Sequence, residues 1–150
     1  MSTLQLIPVL EPDKNKLEEA YEVAADLGRQ LGGKTVRVPK FFQYDGASVP
    51  APAWQAIGTP FNPRFMVPAV FHDWLYHTHF IDDRAVVDEI FYKLLVACGV
   101  GKTKAWLMCQ AVEMAGGAYW ENDEDDRAYL RRLAKRIRDD GRRPEDYGLQ

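Results

Sequence analysis

The sequence predicts a mainly α-helical domain of the α+β class, with four to five helices, a small N-terminal pair of β-strands and a long Pro/Gly loop. Apolar residues recur at helical spacing through most of the second half of the chain. An alternating β-branched run precedes the stretch that glycine and proline interrupt. With 150 residues, 47% of them hydrophobic, we expect a single domain over residues 1–150 with a substantial core.

The N-terminal part predicts a strand, a helix and a second strand. Pro8 and Pro12 place the first strand, in TLQLIPVLEP, at a sheet edge, because proline donates no ladder hydrogen bond. An accessory helix is predicted over residues 13–32, ended by the glycine pair Gly32-Gly33, with apolar positions at Leu17, Tyr21, Ala24, Leu27 and Leu31. KTVRVP then alternates as a strand does and leads into the loop of residues 45–63, whose length is typical of functional loops.

Three helices complete a predicted core at about residues 36–120. The first follows Pro68, and the second has Asp82 or Asp83 as its N-cap and ends near Gly99. The third carries small residues at helical spacing, which predict a close helix crossing: Ala105, Cys109, Val112 and Gly116.

Residues 121–150 predict a charged C-terminal helix and tail. Acidic residues come first and basic residues later, an order that complements the helix dipole. The apolar line of this helix must cover either the core of this domain or a neighbouring subunit. The final RRPEDYGLQ has the composition of a flexible end.

Composition and charge narrow the class of partner. The net charge of −3 provides no concentrated basic surface, so no nucleic-acid binding is expected. No apolar run approaches the length of a membrane span, so no stable membrane insertion is expected. Cys98 and Cys109 lack the spacing of a redox pair or a zinc site and predict free thiols in a cytoplasmic protein.

The segment FHDWLY places His72 and Asp73 inside one of the most apolar stretches of the chain. An imidazole and a carboxylate buried there must be paired or must do chemistry. On a helix, His72 and Tyr76 share a face. On the next helix, Arg84 and Asp88 lie beside the apolar stripe, which predicts that both are partly buried.

Three roles are open for a cluster of these side chains with Asp45, which precedes a glycine in the loop. His72 is a candidate general base, with Asp73 or Asp88 orienting it and Tyr76 in support. Carboxylates with one histidine also suit a divalent metal, Ca or Zn, held by Asp45, His72 and Asp73. The third role is an inert polar network that fixes the loop, with Asp45, Ser48 and Arg84 as members.

Three segments resemble, in order and spacing, a phage-associated family called domain of unknown function 1353. The segments are YDGASVP, VPAVFHDWLYHT and DDRAVVDEIFYKLLVACGVGKTKAWLMCQAVEMAGG, which together cover about Val38 to Trp120. The positions that carry the resemblance are Asp45, Ser48, Pro50, His72, Asp73, Tyr76, Arg84, Asp88 and Phe91.

The resemblance implies a viral origin, and three functions follow as expectations. The first is a virion-associated structural or assembly protein of the tail or tail tip, made in the cytoplasm of a bacterial host, with other phage structural proteins or its own copies as partners. The second is a small metal-dependent or His/Asp hydrolase that acts on a host envelope component during entry or lysis. The third is a cytoplasmic phage factor that binds a host protein through the charged tail.

A shorter segment is similar to another family. H-D-x-x-Y on a helix, followed by a second helix that bears an aspartate, resembles secreted phospholipase A2, where the histidine is the base and the next aspartate binds calcium. Asp83 or Asp88 would be the second-helix carboxylate here. The disulfides and the Gly-rich calcium loop of that family are missing from this sequence.

Overall fold

The computed structural model describes residues 3–10, 20–44, 62–121 and 124–149. Within them lie five strands: β1 (Leu6–Val9), β2 (Ala20–Val23), β3 (Leu27–Leu31), β4 (Lys34–Val38) and β5 (Gln43–Tyr44). The helices are α1 (Pro63–Thr78), α2 (Arg84–Ala97), α3 (Lys102–Ala115), α4 (Gly117–Trp120) and α5 (Glu124–Asp139), followed by a 3-10 turn at Pro144–Tyr147. The predicted mainly helical α+β class is confirmed, although the described strands are more than a pair. None of the described helices has both the length and the apolar composition needed to cross a membrane.

The chain divides into two compact units. The first combines Met1–Asp45 with Asn122–Gln150, and the second is Gly46–Glu121. In the first unit, antiparallel strands form a sheet of order β1-β2-β5, with β1 at the edge as Pro8 predicts, and β3 pairs with β4 as a hairpin. Helix α5 belongs to the same unit, where the Tyr129 hydroxyl accepts a hydrogen bond from the Gln43 backbone N–H at 2.8 Å.

The predicted accessory helix over residues 13–32 is wrong for the described part of that range, which forms β2 and β3. Residues 13–19 lie outside the described residues. Gly32 and Gly33 have φ of 56° and 77°, so they form the two-residue turn of the β3–β4 hairpin instead of a helix end. The apolar spacing led to the prediction of a helix, although the same spacing also fits two short strands. The buried residues of these strands are Ala20, Val23, Leu27 and Leu31.

The C-terminal segment packs against its own unit. The apolar line of α5 is buried there, at Tyr129, Leu133 and Ile137. The predicted flexible end is wrong for residues 144–149, because Tyr147 and Leu149 are also buried. The buried line of α5 is therefore not available as a surface for a host protein.

Asp26 joins this C-terminal segment to the β3–β4 hairpin. Its carboxylate accepts hydrogen bonds from the Lys40 backbone N–H at 2.8 Å, from the Tyr147 hydroxyl and from Arg142. Partial burial alone would raise the pKa of Asp26, but the hydrogen bonds from Lys40, Tyr147 and Arg142 outweigh burial and leave the pKa lowered. A lowered folded-state pKa means that the ionised form stabilises the fold.

We expect Asp26→Asn to lose about 2 kcal/mol of stability at neutral pH, because hydrogen bonds to a charged group are lost. The contribution of Asp26 is complete above the unfolded carboxyl pKa of about 3.9 and disappears as the pH falls through the lower folded value. Urea unfolding from acid to neutral pH should therefore show the wild-type and Asp26→Asn stabilities converging in acid. The exposed Asp125→Asn is the control, and a gap that stays constant with pH would contradict this role.

The second unit contains α1, α2 and α3. Tyr76 contacts Arg84 while His72 contacts Asp88, so α1 and α2 run antiparallel. Helix α1 begins at Pro63, earlier than the predicted start after Pro68, because the Asn62 side chain caps its first turn and Pro63 needs no hydrogen-bond partner there. Asp83, one of the two predicted residues, caps α2 by accepting hydrogen bonds from the first-turn N–H groups. The core of this unit is largely aromatic and aliphatic, with Phe65, Phe71, Trp74, Leu75, Val87, Phe91, Leu95 and Met108 buried.

Candidate functional site

The candidate site lies between α1 and α2, where three predicted residues meet. Asp88 Oδ1 is 2.9 Å from His72 Nε2 and accepts a hydrogen bond from the Tyr76 hydroxyl at 2.7 Å. His72 and Tyr76 share a face of α1, as the sequence predicts, and both contact the same carboxylate. The His72 ring packs between the rings of Tyr76 and Phe91, with centroid distances of 4.2 and 4.7 Å.

Arg84 forms the outer part of this network. Its Nε donates to the Tyr76 hydroxyl at 3.2 Å and lies 3.8 Å from Asp88 Oδ2. Its Nη2 donates to the backbone carbonyl oxygen of Glu113, on α3. The guanidinium therefore connects the network to the C-terminal end of the third helix.

The third helix approaches the network closely on two sides. Cys109 Sγ lies 3.2 Å from the backbone oxygen of Asp88. A Cβ atom on Gly116 would lie 2.8 Å from the Tyr76 hydroxyl and 3.2 Å from Arg84 Nη2. That Cβ would also lie 2.7 Å from the backbone oxygen of Val112, so a larger residue at position 116 needs a shift of the end of α3 as well as of those side chains. The predicted small-residue stripe does mark a close helix crossing.

Burial controls the protonation of the network. Desolvation lowers the pKa of His72 below its usual value, and the opposing attraction of Asp88 does not restore it. Burial first, and then the hydrogen bond to Asp88, raise the pKa of Tyr76, so its hydroxyl stays protonated and donates. Burial raises the pKa of Cys109 to about 12, so this thiol is not a nucleophile at neutral pH.

The two ring nitrogens of His72 have different surroundings. A carboxylate only accepts hydrogen bonds, so Asp88 fixes the proton of a neutral imidazole on Nε2 and leaves the lone pair on Nδ1. Within the described residues, no hydrogen bond to Nδ1 is found. The side chain of His72 is 7% exposed and that of Asp88 is 2% exposed. The basic atom Nδ1 therefore belongs to a largely enclosed ring.

The other predicted members of the cluster have different outcomes. The hydrogen bond of His72 runs to Asp88 instead of Asp73, which is half-buried next to it on α1. Asp45 and Ser48, predicted as cluster and metal residues, lie outside the described residues. Within the described ranges, no group of three or more His, Cys, Asp or Glu side chains is arranged to hold a metal.

Sequence reasoning missed three contributors to the site. Glu113 contributes a backbone carbonyl, and Cys109 contacts a backbone oxygen; neither contact leaves a signal in the sequence. Trp120 packs edge-on against Tyr76 at 5.1 Å and stacks on His79 at 3.9 Å. The sequence signal that could have pointed to Trp120 is an aromatic residue shortly after the glycine pair Gly116-Gly117.

Fold and site together define a small α+β protein in which adjacent helices share a buried His–Asp–Tyr network. The chain belongs to the family described as "Protein of unknown function (DUF1353)", whose model matches residues 16–112. A relative, the uncharacterized protein y4iH of Sinorhizobium fredii (strain NBRC 101917 / NGR234), is 33% identical over 97 residues. These residues are 64% of this chain and 40% of y4iH, so the chain spans less than half the length of that relative. No solved structure matches the chain significantly.

Proposed function

We propose that the protein is a small hydrolase in which His72 is the general base, acting on an ester bond of an envelope component. The observation that supports this most is the hydrogen bond that fixes His72 Nε2 against Asp88 and leaves Nδ1 as the nitrogen able to accept a proton. The same division of roles, one nitrogen oriented by a carboxylate and the other available, is what a general base requires. Asp88, and not Asp83, is the second-helix carboxylate in this proposal.

The reaction follows from the tautomer. Nδ1 accepts a proton from water, and the resulting hydroxide attacks the carbonyl carbon of the ester. Asp88 stabilises the imidazolium that forms, while the Tyr76 hydroxyl and Arg84 hold the carboxylate in place. The imidazolium then returns its proton to the leaving alkoxide, which restores neutral His72. Because burial lowers the pKa of His72 below its usual value, the neutral form of the base is favoured at neutral pH.

A divalent ion, Ca or Zn, is a separate part of this proposal. Of its predicted ligands in the second unit, Asp73 remains a candidate, whereas Nε2 of His72 is already bonded to Asp88. Elemental analysis of the purified protein, and activity with and without a chelator, test this part independently of the base.

The test of the base compares wild type, His72→Gln and the matched control His77→Gln on p-nitrophenyl esters of increasing chain length and on fluorogenic phospholipid vesicles. We expect His72→Gln to reduce the rate about 10²–10⁴-fold, the usual contribution of a general base, while His77→Gln stays near wild type. Equal rates for all three proteins, or no hydrolysis of any substrate, would sink the proposal for these ester classes.

The enclosure of the network favours a second candidate, a virion-associated assembly protein whose His–Asp network only holds the fold. His72 and Asp88 are both buried, as an inert network predicts. In this candidate the protein acts through its surfaces, and it should be detected by mass spectrometry in purified phage particles. Particles that lack it would count against this candidate.

A further inference from the structure

The outward side of α3 exposes three large apolar side chains. Trp106 is 55% exposed, Leu107 45% and Met114 88%. The described residues contain five exposed large hydrophobic side chains in all, so most of them lie on this one helix. Apolar side chains gathered in this way mark contact surfaces more often than isolated ones do.

Charged residues flank this apolar surface at opposite ends. Lys102 is in the first turn of α3 and Glu113 is near its end, and both are exposed. At 100° per residue, Lys102, Trp106 and Glu113 lie on one side of the helix, beside Leu107 and Met114. Among the described residues, Lys102 makes no salt bridge, and the Glu113 carboxylate accepts a long hydrogen bond from Cys109 Sγ at 3.9 Å. We call these five residues the α3 face.

We propose that the α3 face binds the α3 face of a second copy of this chain, with the two helices antiparallel about a two-fold axis. A two-fold contact must be self-complementary, and the α3 face is: antiparallel pairing brings Lys102 of each copy to Glu113 of the other. The axis then passes near the middle of the helix, where Trp106 and Leu107 of both copies meet and lose their exposure to water. This inference is independent of the proposed hydrolase activity.

Charge reversal provides a test specific to this arrangement. Lys102→Glu places two glutamates opposite each other at both ends of the contact, and Glu113→Lys places two lysines there. The double variant restores both pairs with their signs exchanged. Sedimentation velocity over a concentration series should show a wild-type dimer, about tenfold or more weaker association for each single variant, and recovery in the double variant. Trp106→Ser should also weaken association.

Two controls distinguish loss of this contact from a general effect of charge and from unfolding. Lys93→Glu changes an exposed lysine of α2, outside the α3 face, and should leave association unchanged. Circular dichroism melting should show that each variant is folded. A monomeric wild type, or a dimer that neither the charge reversals nor Trp106→Ser weakens, would overturn the proposal. Co-sedimentation of a monomeric wild type with anionic lipid vesicles, lost in Trp106→Ser, would overturn it in favour of a membrane contact.

Discussion

Asp88→Ala should lower the free energy of unfolding by about 3–5 kcal/mol, the usual cost of removing one partner from a buried charged network. The carboxylate is 2% exposed and is bonded to His72 and Tyr76, with Arg84 close by. Its removal leaves the His72 Nε2–H and the Tyr76 hydroxyl buried without an acceptor.

The measurement for Asp88→Ala is urea unfolding at neutral pH beside Glu89→Ala, the next residue on α2. Glu89 is exposed and pairs only with Lys93 among the described residues, so its loss should change stability by less than about 0.5 kcal/mol. If Asp88→Ala fails to fold, Asp88→Asn keeps the volume and still removes the charge. A loss under about 1 kcal/mol for Asp88→Ala would mean that the network does not hold α1 to α2.

Gly116→Ala should cost about 1–3 kcal/mol and disturb His72 from a distance, because the new methyl group overpacks the end of α3. Gly116 has φ of −80° and ψ of −14°, a conformation that alanine adopts freely, so the effect is steric. The methyl would meet the Val112 backbone oxygen at 2.7 Å and the Tyr76 hydroxyl at 2.8 Å. Displacing that hydroxyl leaves Asp88 with one donor fewer, which strengthens its attraction for a His72 proton and raises the pKa of His72.

Gly117→Ala is the matched control, since its Cβ would lie 3.6 Å from Arg84 Nη1, an ordinary contact distance. The readouts are urea unfolding and NMR titration of the His72 ring. A loss of stability with an unchanged His72 titration would show that Gly116 matters only for packing. Equal behaviour of the two alanine variants would show that α3 can move away without cost.

The second unit could be predicted from sequence more fully than the first. Apolar periodicity gave α2 and α3 nearly in full, and i, i+4 spacing placed His72 and Tyr76 on one face of α1. In the first unit, the same periodicity gave α5. The β2 and β3 strands could not be found by helical spacing, since Leu27 and Leu31 satisfy both patterns. Two glycines between short apolar runs were the overlooked hairpin signal.

The limits at the site have a different cause. Which carboxylate meets His72 depends on how two helices cross, and sequence spacing left Asp73, Asp83 and Asp88 all eligible. The way the two helices cross brings Asp88 to His72, while Asp83 caps the first turn of α2. The Glu113 carbonyl and the tight space around Gly116 are set by backbone that lies far along the chain from His72. No pattern of side chains in the sequence indicates either of them.

Helix α5 folds with the strands of the family-matched region although it lies outside that region. The matched region, residues 16–112, contains β2 to β5 but ends before α5, whose Tyr129 hydroxyl accepts the Gln43 N–H and whose apolar line is buried in that unit. A chain cut after the matched region would lose the acceptor of the Gln43 N–H and the apolar line that α5 buries in this unit. The strands of the matched region therefore depend for their burial on a helix that lies outside it.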